Sequence, residues 1–272
     1  MKDTLVLDIE TKKSFADVGG KENISALGIA VLGTYSYASD SFRAFEEGEL
    51  GEFERILSET DYLIGFNIKL FDIPVLGPYI APGIIGRVAV TDIFEDAVNF
   101  LGHRVGLDGV ARATVGEGKS GHGLEALEWF KEGRVEDVKK YCLDDVRLTR
   151  DVYEYGKKNG HILFESRGDG KIHSIPVSWG SARARPVLEI LGEAFKNRKR
   201  LSIDYVSSED SDGLGFKKTR AIDIYAIKPS GDIEAYCHFR KGVRDFRIAR
   251  ILRAEETGET YSLPSDSQGA LF

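Results

Sequence analysis

Cysteine is scarce in this 272-residue chain. The two that occur, Cys142 and Cys237, are too few for a disulfide framework and both sit in apolar pattern, so a reducing, cytoplasmic setting is expected. Long apolar runs are also missing. The stretch YIAPGIIGRVAV is broken by Pro82, Gly83, Gly86 and Arg87, short of the ~18 uninterrupted apolar residues that a membrane span needs. The N-terminus meets Asp3 and Asp8 before any apolar segment develops, which argues against a secretory signal. No Cys/His spacing supports zinc. Basic residues are the minority, 37 against 44 acidic, for a net charge of −7.

That charge is unevenly spread. Residues 1–160 hold 28 acidic and 19 basic side chains, whereas residues 180–253 hold 10 acidic and 16 basic. The last 19 residues carry four acids and no base. An acidic part followed by a basic one implies a division of labour, with metal chemistry first and polyanion binding second.

The pattern along the chain is α/β. TLVLDIET reads as a buried strand ending in acids, and ISALGIAVLGTYSYASDSFRAF as strands joined by turns. Glu49–Leu57 is helical, DYLIGFN is a strand, and DIPVLGPYIAPG starts as a helix that proline and glycine break. Helical segments follow at TDIFEDAVNFL, GLDGVARATVG, GLEALEWFKEG and VEDVKKYCLDDVRLTRDVYEYG, giving a mixed sheet with flanking helices. HILFESRGDGKIHSIPVSW reads as a β-hairpin, Arg183–Arg200 as a helix, and Leu201–Ile251 as the strands of a small barrel. The expected division is 1–158, a hairpin linker at 159–182, a basic barrel at 183–253 and an acidic, disordered tail at 254–272.

Three groups of carboxylates carry the chemistry. Asp8 and Glu10, two apart on one strand, point to one face. In GFNIKLFDIPVL, Asp72 opens a helix after Asn67, where it would serve equally as a first-turn acid. In VKKYCLDDVRLTRDVY, advancing 100° per residue from Val138 puts Asp145 at about 340°, inside the stripe of Cys142, Thr149, Val152, Tyr141 and Val146. Asp144 falls at about 240°, beside Lys140, Arg147 and Asp151, as ordinary helix surface. A carboxylate in an apolar stripe needs a partner.

A D-x-E strand, an N-x(2–3)-[FY]-D segment and a Y-x3-D helix, in that order, resemble the three motifs of the DEDDy 3′–5′ exonucleases over residues 1–158. The likeness is to the proofreading domains of B-family DNA polymerases and their stand-alone bacterial cousins. It implies an RNase H-like fold and two divalent cations, Mg²⁺ or Mn²⁺, suited to oxygen ligands. It further implies that Asp8 bridges both ions, Glu10 and Asp145 complete one site, Asp72 serves the other, and Tyr141 holds the attacking water. By the same resemblance Thr11 and Leu27 touch the terminal nucleotide; Asn67 either positions the phosphate or caps the turn. Lys119, in the loop GEGKSGHG, is offered to a phosphate. Asp92 reads as structural.

Residues 189–253, most clearly AYCHFRKGVRDFRIARI, resemble the WYL domain, an Sm-like β-barrel, although Gly231-Asp232-Ile233 stand where that family has Trp-Tyr-Leu. The resemblance implies nucleic-acid or nucleotide binding, with Arg240, Arg244, Arg247 and Arg250 on phosphates and Tyr236, His238 and Phe246 as stacking partners. The final residues, Gln268, Gly269, Ala270, Leu271 and Phe272, resemble the bacterial sliding-clamp-binding peptide. Together these imply a nuclease acting on DNA rather than RNA, in repair or replication. An exoribonuclease and a non-catalytic, nucleotide-sensing regulator are the rival readings.

Overall fold

The computed structural model describes residues 3–119, 123–166, 168, 170–179, 187–210, 213–228 and 232–263. The chain divides into two compact units, 1–154 and 155–272.

The N-terminal unit is built on β1 (Asp3–Thr11), β2 (Ile29–Ser36), β3 (Ser41–Glu46), β4 (Thr60–Gly65) and β5 (Ala89–Asp92), in sheet order β3-β2-β1-β4-β5. β1 pairs antiparallel with β2 and parallel with β4, so the sheet is mixed, as the sequence implies. Its helices are α1 (Leu50–Ser58), α2 (Asp72–Leu76), α3 (Ile93–Leu101), α4 (Leu107–Val115), α5 (Gly123–Lys131) and α6 (Val135–Asn159). Alternation along β1 sends Leu5, Leu7 and Ile9 into a core shared with Phe53 and Leu57 of α1 and Val75 and Leu76 of α2. Asp8 and Glu10 face the other way. There Ala30 and Val31 of β2 pack with Val138 and Cys142 of α6.

One small residue lets α6 come down on that second face. Gly33 lies opposite Asp8 in the β1–β2 ladder, and a Cβ there would sit 2.8 Å from Cys142 Sγ and 3.1 Å from a Val146 methyl. Gly33→Ala is therefore expected to destabilise the protein by roughly 1–3 kcal/mol, the scale of overpacking a filled core. A denaturation midpoint equal to wild type would mean that α6 shifts freely.

The C-terminal unit opens with the expected hairpin, β6 (His161–Glu165) with β7 (Ile172–Pro176). Then come α7 (Val187–Asn197), β8 (Lys199–Val206), β9 (Lys217–Ile227), β10 (Asp232–Cys237), β11 (Gly242–Arg247) and β12 (Ile251–Thr260). The five strands form an antiparallel sheet in the order β11-β10-β9-β8-β12. Leu191 and Phe195 of α7 bury against Ile203, Ile222, Ile224 and Ile233.

Two expectations change here. The sheet is not a closed barrel, because among the described residues its end strands β11 and β12 are not hydrogen-bonded to each other. Only residues 248–250 join them, a link that spans at most about 14 Å, so the sheet curls until its ends approach without pairing. The acidic tail is also not wholly irregular. Residues 254–260 continue β12, with Ala254 opposite Ile203 and Glu256 opposite Leu201. Pairing with β8 decides their conformation, and Arg200 takes Glu259 as an ion-pair partner. No helix among the described residues is long and apolar enough to cross a membrane.

Candidate metal and nucleic-acid sites

The acidic site forms where β1 outruns its neighbour. The β1–β4 ladder covers Asp3 to Val6, leaving Asp8 and Glu10 beyond the end of β4. α6 crosses the same face and brings Asp145, only 1% exposed, to meet them. Oxygens of Asp8, Glu10 and Asp145 lie within 4.8 Å of one another. Asp72, buried in the first turn of α2, accepts from the Ile9 backbone N–H between the two β1 acids. The four acids picked out in the sequence thus converge from three segments.

Electrostatics records the crowding. Burial, then the Asp145 charge, pushes the Asp8 carboxyl up to about 7. Burial and the Asp8 charge hold Glu10 and Asp72 well above the usual carboxylate range. Burial also raises Asp145, against the pull of Lys119. Acids held together in this way ask for positive charge among them. The donor set fits a hard divalent cation of the Mg²⁺ or Mn²⁺ kind, since every candidate ligand is oxygen. Two of those oxygens, Asp72 Oδ1 and Asp145 Oδ1, are buried without a hydrogen-bond partner, which leaves them available for such an ion.

Tyr141 lies on the Asp145 face of α6, buried edge-on against Trp129 at a centroid separation of 6.1 Å. Burial, then the Asp145 charge, raises its phenol. Lys119 is placed differently from the sequence reading. Its Nζ donates to Asp145 Oδ2 at 2.5 Å and to the Tyr141 hydroxyl at 3.3 Å, pointing into the acids instead of presenting itself at an outer phosphate. Burial lowers its pKa, but the neighbouring Asp145 and Asp8 charges outweigh that and raise it. The loop is held by its backbone, for Lys119 N–H donates to Asp108 Oδ1 at 2.9 Å and Asp108 accepts from Arg112 on the same helix. Asp145 therefore keeps one oxygen for a cation from outside and gives the other to a tethered one. Nothing in a glycine-rich loop sequence fixes that direction.

The softer site residues separate. Leu27 is 1% exposed and belongs to the hydrophobic core, so its side chain is not presented to a nucleotide. Thr11 is half-buried and its hydroxyl donates to the Lys13 carbonyl. Asn67 adopts φ 67° and leaves its Oδ1 buried and unpartnered. Asp92 does more than terminate a strand. It accepts from the backbone N–H groups of Asn67 and Lys69 at 2.8 and 3.0 Å, and from Phe94 and Glu95 at the start of α3. It thereby ties the loop that delivers Asp72 to the end of the sheet. Asp144 is half-buried and paired with Arg147 at 2.9 Å, away from the acidic site.

In the C-terminal unit the expected nucleic-acid residues divide between surface and interior. Phe246 is 2% exposed in the sheet core, so it is not free to stack on a base. Arg250 is buried too, donating to Ser174 Oγ at 3.1 Å and to the carbonyls of Val206 and Ser174, which makes it a strut for the β6–β7 hairpin. His238 contacts Asp223 at 2.9 Å, and the same carboxylate accepts from Arg200. Tyr236 stands edge-on to His238. Arg240, Arg244 and Arg247 remain at the surface. Gln268, Leu271 and Phe272 lie outside the described residues.

Comparison with known proteins bears on the C-terminal unit first. The sequence profile of the WYL domain matches residues 186–256. No curated protein matches the chain. Among solved structures, the family B DNA polymerase of the hyperthermophilic archaeon Pyrobaculum calidifontis is similar at 18% identity, over 57% of this chain and 24% of that one, with a TM-score of 0.45. E. coli exonuclease I in complex with a dT13 oligonucleotide is similar at 10% identity over 87% of this chain and 55% of that one, TM-score 0.35. Proteasome accessory factor B/C of Arthrobacter aurescens is similar at 18% identity over 62% and 22%, TM-score 0.24. The chain spans less than two thirds of each of these proteins.

Proposed function

We propose that this protein is a metal-dependent 3′–5′ exonuclease of the DEDDy type, RNase H-like in fold, acting on single-stranded or frayed DNA ends. Its C-terminal, WYL-like unit binds nucleic acid. The observation that carries the reading is the meeting of Asp8, Glu10 and Asp145 within 4.8 Å, with Asp72 joined to them at Ile9 and Tyr141 beside Asp145. A protein with no use for a cation gains nothing by keeping four acids so close.

Asp8, Glu10, Asp72 and Asp145 would hold two divalent ions, which when bound supply an activated water and neutralise charge on the departing oxygen. The protein's own part is orientation. Lys119 fixes one Asp145 oxygen and leaves Oδ1 facing the site. Its ammonium also donates to the Tyr141 oxygen, and the Tyr141 hydroxyl is itself hydrogen-bonded to Asp145, so lysine and tyrosine brace that carboxylate together. Asp92 holds the Asp72 loop in place.

Digestion of 5′-labelled and 3′-labelled single-stranded DNA and RNA, with Mg²⁺, Mn²⁺ or EDTA, tests this directly. The expected result is a ladder shortening from the 3′ end of DNA, present with metal and absent in EDTA. Equal degradation of RNA would move the reading to an exoribonuclease. Silence in every lane with binding intact would replace the enzyme by a nucleic-acid-binding regulator.

A further inference from the structure

Arg220, on β9, is 7% exposed, yet it has no carboxylate partner among the described residues. Its one hydrogen bond runs from Nη2 to Ser207 Oγ at 3.2 Å, and its Nε is buried without any partner. Around the guanidinium stand three aromatic rings, Tyr205, Phe239 and Phe246, at 5.6, 5.7 and 5.9 Å. Such contacts offset only part of what an ion loses on leaving water, and a buried guanidinium ordinarily has an anion.

The ring over this arginine is itself unusual. Phe239 occupies the turn between β10 and β11 and is 49% exposed. The Arg240 guanidinium lies 5.4 Å from the same ring, so Phe239 is held by cations while much of its surface meets water. Lys241 and Arg244 add exposed positive charge on the same hairpin. The acids of that hairpin are engaged, Asp245 and Glu234 by Lys228 at 2.6 and 3.6 Å and Asp232 by Arg247 at 4.0 Å.

We propose that Arg220 and Phe239 form a phosphate-and-base subsite. A nucleotide phosphate pairs with the edge of the Arg220 guanidinium that remains exposed, supplying the anion that this buried charge lacks, and the attached base stacks on Phe239. Arg240, Lys241 and Arg244 supply the surrounding positive field. The inference rests on the nucleic-acid reading of the C-terminal unit for the class of its ligand, and it assigns to Phe239 the stacking role that buried Phe246 does not fill. The shared chemistry is a base bearing a phosphate, whether from a single strand or a free nucleotide.

The test uses the full chain in EDTA, with fluorescence anisotropy of a labelled oligo-dT and competition by dTMP and inorganic phosphate. Phe239→Ala should weaken oligo-dT and dTMP by about tenfold, the scale of one lost base stack, and leave competition by inorganic phosphate unchanged. Phe239→Tyr should restore binding. Arg220→Met should weaken all three ligands at least about tenfold, while keeping or raising Tm, because it removes a buried charge that has no anion in the free protein. Competition by dTMP as strong as by unlabelled oligo-dT identifies a free nucleotide as the ligand, and preference for the oligonucleotide identifies a strand. A lower Tm in Arg220→Met with unchanged affinities would make the arginine a structural post and overturn the site. Failure of the wild-type chain to bind any of the three would instead remove the nucleic-acid reading of this unit, and the subsite with it.

Discussion

Asp145→Ala is expected to lower digestion of a 3′ end by about 10²-fold or more, the scale for losing a central electrostatic group, while Asp144→Ala leaves the rate within about a factor of two. The two residues are adjacent and carry the same charge, so composition cannot separate them. Their positions on α6 can. Asp145 is buried, with one oxygen unpartnered and the other on Lys119. Asp144 pairs with Arg147, which also holds Glu117 and Asp151 and so loses one partner of three. Single-turnover hydrolysis of 5′-labelled single-stranded DNA, with metal saturating, compares them directly. Thermal denaturation in EDTA separates lost chemistry from lost structure. Removing Asp145 relieves repulsion with Asp8 and Glu10 but also deprives Lys119 of its partner, so Tm should stay close to wild type. Comparable activity losses from both substitutions would refute the division of the helix into a reactive and a surface face.

That division was legible because a helix of this length leaves little freedom. Period 3.6 places Asp145 with Cys142, Val146 and Thr149, and all of these are buried. Period 2 likewise puts Asp8 and Glu10 on one face of β1. What escaped the sequence depends on contacts between distant segments. The direction of Lys119 is set by Asp108 and Asp145, 11 and 26 residues away in sequence. Leu27 follows the β1 motif in space, but core packing claims its side chain. Phe246 is turned from a ligand because the register of the β10–β11 hairpin puts it opposite Ile233, on the core side. A slip of one residue would have reversed that face, and the four turn residues between the strands do not announce their register. The strand at 254–260 is acidic and glycine-containing, and only its pairing with β8 makes it extended.

Without a divalent cation, the protein should lose stability as pH rises from 5 to 8. Asp8 carries the clearest signal, because its carboxyl is pushed from 3.8 up to about 7 in the fold by burial and by the Asp145 charge. A carboxyl whose folded pKa lies above its unfolded one binds its proton more tightly when folded. Its contribution is fully present below about pH 4 and fades as pH climbs through 7. Glu10, Asp72 and Asp145 are raised as well and act in the same direction. Lys119 limits the loss by giving the cluster one positive charge of its own. Mg²⁺ or Mn²⁺ should reverse the trend, because a bound cation favours the ionised acids that proton loss leaves behind. At a hundred times its dissociation constant, a ligand of the folded state adds about 2.7 kcal/mol, and that gain should grow with pH between 5 and 8. Thermal melts in EDTA and in Mn²⁺, at half-unit pH steps, read both slopes without any nuclease assay. Asp8→Asn should flatten the EDTA slope, since the replaced group no longer titrates. A Tm in EDTA that is level or rising over this range, or a metal effect indifferent to pH, would mean that these acids are already compensated inside the protein and are not waiting for a cation.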